Sequence, residues 1–199
     1  MTSLIDTSDI QPNDSEFSTF AQLPSIYLIG PMGAGKTTIG KLLAKQLNRE
    51  FIDCDWYICD QTGADIPWIF EKEGEAGFRE RETKALMELT ELPNIIMATG
   101  GGAVGSQMNR ALLKKGLVVY LNASVDVQLA RTKRDKNRPL LQQDNPKAVL
   151  ERLYEIRHPL YMQIADIVVV TGKAYPKQMM TELIQVLSDF ANSQYQDNL

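Results

Sequence analysis

The sequence predicts an α/β protein, a doubly wound parallel five-stranded sheet with helices on both faces. Three observations lead there. Short apolar runs alternate with longer segments whose apolar residues recur at helical spacing. The runs are nearly continuous, as in strands buried on both faces. A glycine-rich turn joins the first run to the helical segment after it.

Residues 1–24 are rich in Ser, Thr, Asp and Asn, contain two prolines and have little apolar period, so they read as a disordered acidic extension. A single domain follows over 25–193, with 194–199 as a C-terminal tail. Its apolar runs are Ile26–Ile29, Phe51-Ile52, Ile95–Met97, Leu117–Leu121 and Ile167–Val170. Ile39, Leu42, Leu43 and Leu47 mark the first helix between the first two runs. Over Arg131–Asn145 the period stops and charged and turn-forming residues take over, which predicts a mobile surface lid. Pro159, inside a later helical pattern, is expected to kink or restart that helix.

The chain has 199 residues, 44% hydrophobic and 23% charged, enough for one well-buried domain. Asp6, Asp9, Asp14 and Glu16 account for the whole net charge of −4, and the remaining 21 acidic residues balance 21 basic ones. Such a surface gives no broad attraction to nucleic acid or anionic lipid. No apolar stretch is long enough to span a bilayer, and the N-terminus lacks the pattern of a secretory or transit signal. Cys54, Cys59 and a single histidine cannot build a usual four-ligand zinc site; two reduced thiols in a cytoplasmic protein are expected. A monomer is expected as well.

In a fold of this kind ligands bind beyond the carboxyl ends of the strands. The first such junction reads Gly30-Pro-Met-Gly33-Ala34-Gly35-Lys36-Thr37-Thr38, a phosphate-binding loop in its required strand–helix context. Glycines let backbone N–H groups turn inward around phosphates, and the helix start aims its positive dipole end at the same anion. Gly33 through Thr38 are therefore assigned to ATP, with Lys36 at the β/γ-phosphates and the Thr37 hydroxyl on Mg²⁺.

The second run ends in Asp53-Cys-Asp55. If the strand continues, the two carboxylates point to opposite sides, one to Mg²⁺ and one to an acceptor hydroxyl. The plain alternative is a helix cap at Asp55. Arg79 lies in a charged helical stretch, where Glu75, Glu80 and Glu82 are available partners. Gly100-Gly101-Gly102 permits close backbone approach of a ligand, or simply a flexible turn. The lid lacks aromatic residues for base stacking, so closure over ATP with exclusion of water suits it better than RNA binding.

Taken together, Gly30–Gly40, Asp53–Asp55, Phe78–Glu82, Thr99–Gly102, Arg138-Pro-Leu-Leu141 and Arg157-His-Pro-Leu-Tyr161 resemble the shikimate kinases, in the family's order and approximate spacing from about Ile26 to the last helix. The resemblance implies a nucleoside-monophosphate-kinase-like P-loop fold with strand order 2-3-1-4-5 and a mobile lid. It implies transfer of the ATP γ-phosphoryl group to the 3-hydroxyl of shikimate, a step of aromatic amino acid (chorismate) biosynthesis, with Mg²⁺ held by Thr37 and, through water, Asp53. Arg79 and Arg157 match the arginines that grip the substrate carboxylate. Asp55, Gly101 and Gly102 match the remaining acceptor positions, with Asp55 orienting the hydroxyl and taking its proton. Arg138 matches the lid arginine, Arg131 the residue stacked on adenine, and Ala174 a backbone contact to adenine. Phe70 and Phe78 are expected as apolar walls. Gluconate-type and nucleotide kinases, and a non-catalytic nucleotide-binding module, are the alternatives.

Overall fold

Alternate side chains of the first strand, β1 (Ile26–Ile29), enter two different cores: Ile26 and Leu28 one, Tyr27 and Ile29 the other. That is what a strand covered on both faces requires, and it explains why all four residues are apolar. The computed structural model describes residues 20–133, 145–172 and 176–196. The elements that follow β1 are α1 (Lys36–Leu47), β2 (Glu50–Asp53), α2 (Cys54–Thr62), α3 (Ile66–Leu89), β3 (Ile95–Ala98), a 3-10 turn (Ala103–Gly105), α4 (Gln107–Leu113), β4 (Leu117–Ala123), α5 (Val125–Thr132), α6 (Pro146–Ile164), β5 (Ile167–Thr171) and α7 (Pro176–Gln196).

The five strands of the described residues form one parallel sheet in the order β2-β3-β1-β4-β5. β1 therefore lies at the centre, and the order reverses beside it, which opens a crevice at the carboxyl ends of β1 and β3. Helices α1 and α7 cover one face through Leu43, Leu47, Met179, Leu183 and Leu187. Helices α2, α3, α4 and α6 cover the other through Ile58, Leu86, Leu113 and Ile164. Among the described residues no helix is long and apolar enough to cross a membrane.

Three expectations change. Phe20 and Leu23 are buried in the first core, and Arg49 donates to the carbonyls of Phe20, Leu23 and Pro24 at 2.7 Å each. The domain thus begins at least as early as Phe20, not at residue 25; a buried guanidinium with three carbonyl partners fixes a segment that composition alone assigns to the tail. Edge strand β5 alternates, with Val168 and Val170 exposed, so its cover is one-sided among the described residues. Helix α6 runs on through Pro159 without a restart.

Candidate active site

The turn between β1 and α1 holds Gly30, Gly33 and Gly35 at φ 142°, 75° and 97°, a backbone that side chains would strain. Gly35 caps α1, so the helix start opens onto the concave side of the loop. Lys36 Nζ donates to the carbonyls of Gly30 (2.7 Å) and Pro31 (2.9 Å), and its charge thereby lies within the loop. One residue on, the Thr37 hydroxyl donates to Asp53 Oδ2 at 2.7 Å. Thr38 is exposed on the first turn of α1 and Ala34 is buried.

The pair at the end of β2 is built differently from the expectation. The strand stops at Asp53 and α2 starts at Cys54, so the acids do not alternate along a strand. Asp53, rather than Asp55, is the helix cap: its Oδ1 accepts from the N–H groups of Asp55 (3.1 Å) and Trp56 (3.5 Å). Its other oxygen stays on Thr37. Asp55 then sits on the first turn of α2, with Oδ1 against Gly100, where a Cβ would lie 2.9 Å away. A hydroxyl and a carboxylate oxygen in contact beside a phosphate loop fit Mg²⁺, which takes few protein ligands and relies on phosphates and water for the rest. Among the described residues no group of three His, Cys, Asp or Glu could hold a metal by itself.

Across the Gly100–Gly102 turn stand the two arginines. Arg79, on α3, pairs with Glu82 (2.9 Å) and Glu75 (3.0 Å) and lies flat against Gly102, where a Cβ would come within 2.3 Å of its guanidinium. Only glycine permits that approach. Its Cζ lies 5.2 Å from the centre of the Phe78 ring, which packs against Phe70 at 5.0 Å. Burial works to lower the pKa of Arg79; Glu82 and Glu75 outweigh it, and the net shift is upward. Glu82 is fully buried, and burial pushes its carboxyl up against the opposing pull of Arg79. Its Oε1 has no hydrogen-bond partner among the described residues and lies beside Gly100. Arg157, on α6, reaches the same turn and donates to the Gly101 carbonyl at 3.2 Å.

Arg131 joins the loop to the far edge of the sheet. It donates to the carbonyls of Gly33 (3.0 Å) and Ala34 (3.3 Å), and to that of Gly172, after β5, at 2.8 Å. Arg138 and Ala174 lie outside the described residues, as does most of the lid. Both cysteines are free, and burial raises the Cys54 thiol well above its ordinary pKa.

Two contributors escaped the sequence analysis as site residues. Glu82 was only one of three candidate partners for Arg79, and nothing local distinguishes the buried acid from the exposed ones. Tyr161, whose hydroxyl donates to the Gly101 carbonyl at 2.5 Å, stands four residues after Arg157, so helical period alone places both on one face.

Residues 32–188 match the sequence model of a family described as shikimate kinase. A protein named shikimate kinase from Psychrobacter arcticus is 62% identical over 173 residues, covering 86% of this chain and 93% of its own. A solved structure of shikimate kinase from Acinetobacter baumannii in complex with shikimate superposes with a TM-score of 0.83 at 52% identity, covering 86% and 96% of the two chains. A gluconokinase from Sinorhizobium meliloti, at 14% identity, 88% and 97% coverage and a TM-score of 0.53, shares the fold alone.

Proposed function

The chain belongs to the shikimate kinase family, and from that premise we propose how its own residues carry out the family's reaction. It transfers the γ-phosphoryl group of ATP to the 3-hydroxyl of shikimate, giving shikimate 3-phosphate and ADP. The observation that carries the reading is the convergence of Arg79 and Arg157, from two separate helices, on one glycine turn that also meets Asp55.

Shikimate is a small monocarboxylate with neighbouring hydroxyls. Two guanidinium forks can grip its carboxylate in a plane, which fixes where the hydroxyls lie. Phe70 and Phe78 supply an apolar wall beside Arg79. Asp55 orients the 3-hydroxyl and takes its proton as that oxygen bonds to the γ-phosphorus and the bond to the bridging β–γ oxygen breaks. Lys36 leaves its carbonyl partners for the β/γ-phosphates and offsets the charge there, with Arg138 of the lid as second cation. Thr37 and, through water, Asp53 would hold Mg²⁺, which neutralises phosphate charge when bound. Gly33–Thr38 cradle the phosphates. The backbone about Ala174, with Arg131 tied to Gly172, borders the adenine.

The same reading describes a cytoplasmic monomer whose ligands are small molecules rather than nucleic acid or membrane. The balance of charge outside residues 1–24 and the two free thiols support it. A coupled assay of ADP release tests the acceptor: ADP should form with shikimate and not with gluconate or a nucleoside monophosphate. ADP with either of those, and none with shikimate, contradicts the assignment.

A further inference from the structure

The Gly101 carbonyl accepts two hydrogen bonds, and both come from α6. Arg157 donates at 3.2 Å and Tyr161, one helical turn later, at 2.5 Å. A carbonyl oxygen has two lone pairs, so the donors coexist. They are not equivalent in what they can do next. Arg157 is a long, charged side chain that a carboxylate can draw away, because a charge-assisted bond to an anion is stronger than one to a neutral carbonyl. Tyr161 is 1% exposed, stacks on Tyr120 at 4.8 Å, and has no room to leave. Tyr120 is itself held, with its hydroxyl on Asn122 (3.0 Å) and His158 Nδ1 (2.9 Å).

We infer that Tyr161 is a positioning residue for the acceptor: it retains the Gly101 carbonyl while Arg157 moves from that carbonyl to the substrate carboxylate. This rests on the reading of Arg157 given above. Without the phenol, the departure of Arg157 would strip a part-buried carbonyl of both donors, and that desolvation cost would be charged against substrate binding. The location matters as well. A Cβ on Gly101 would lie 3.3 Å from the Met32 nitrogen and 3.5 Å from the Gly30 carbonyl, so this turn abuts the phosphate loop. Fixing Gly101 therefore sets the distance between the group that transfers the phosphoryl and the group that receives it. Burial raises the Tyr161 pKa, which keeps the hydroxyl a donor at neutral pH.

The test measures shikimate and ATP affinities by titration calorimetry for Tyr161→Phe, Arg157→Gln and the double variant, with a thermal melt of each. Phe keeps the ring and its stack and removes one hydroxyl. Tyr161→Phe should weaken shikimate binding roughly tenfold and leave ATP binding within about twofold. In the Arg157→Gln background the same change should cost less than about twofold, because there is no longer an arginine to release. Unchanged shikimate affinity in Tyr161→Phe, an equal loss in both backgrounds, or a parallel loss of ATP affinity with a lowered Tm overturns the inference. Unchanged shikimate affinity in Arg157→Gln alone overturns the underlying site assignment and the inference with it. A second measurement needs no variant. In a crystal structure of the shikimate complex, Arg157 should have left Gly101 while the Tyr161 hydroxyl remains on it; Arg157 still on Gly101 overturns the proposal.

Discussion

Glu82 has one carboxylate oxygen on Arg79 and the other beside Gly100, and none of the side chain reaches solvent. Enclosure favours its neutral form, so the folded-state pKa is raised, chiefly by burial and further by Asp55, with Arg79 opposing. A group that holds its proton more tightly when folded adds stability that is complete below the ordinary glutamate pKa and is lost as pH rises through the raised value. Glu82→Gln carries no such titration. The Tm of the variant minus that of the wild type should therefore rise with pH across the window that starts at the ordinary glutamate range and ends above it. A difference flat over that window contradicts the account. At this scale the sequence was readable for chemistry and poor for pairing. Lys36 and Thr37 stand out in the sequence because a phosphate loop dictates residue types at fixed spacing, and Asp53 because it ends the second apolar run in a pair of acids. The roles of Asp53 and Asp55 at the strand end do not, because the choice of cap depends on where β2 stops. Asp53 lies on Thr37 and Asp55 faces the glycine turn.

Among the elements, α3 is the one that composition conceals. It spans Ile66–Leu89 but breaks at Gly74, whose φ of 71° and ψ of −177° are not helical. The first half carries Phe70 and the second carries Phe78, Arg79 and Glu82, so the break sets how Phe70 packs against Phe78 beside Arg79. Glu73 and Arg81 pair across it with two bonds of 2.7 Å. This conformation is nearly restricted to glycine, and a Cβ there would meet nothing within 4 Å. Gly74→Ala should thus cost about 1–3 kcal/mol through backbone strain alone. Urea unfolding checks it, and an unchanged midpoint would mean that the backbone is not held as described. Gly74 and Gly77 share one charged helical stretch, and a glycine there reads equally as a tolerated interior residue or a stop, which is why the break was not legible. Of the kink or restart expected at Pro159, the restart does not occur: α6 continues past it. The strands were the easiest elements to read, since β1 and β4 are apolar on both faces for the physical reason that helices cover both.

For the molecule as a whole, the alternation of strands and helices foretold a doubly wound sheet, while the strand order came only with the resemblance of six motifs. Periodicity cannot supply an order, because it reports which side of a strand is buried and not which strand lies beside it. The order has a functional consequence: with β1 between β3 and β4, the phosphate loop after β1 and the glycine turn after β3 become neighbours. Asp53 and Asp55 arrive from β2 and α2, Arg79 from α3, and Arg157 from α6, so side chains from four elements meet the phosphate loop and the glycine turn. A crystal structure with shikimate, Mg²⁺ and a non-hydrolysable ATP analogue measures that arrangement directly. The account predicts the shikimate carboxylate between Arg79 and Arg157 and its 3-hydroxyl on Asp55, turned to the γ-phosphate. Shikimate bound away from these three residues, or with its carboxylate toward the phosphate loop, would contradict it.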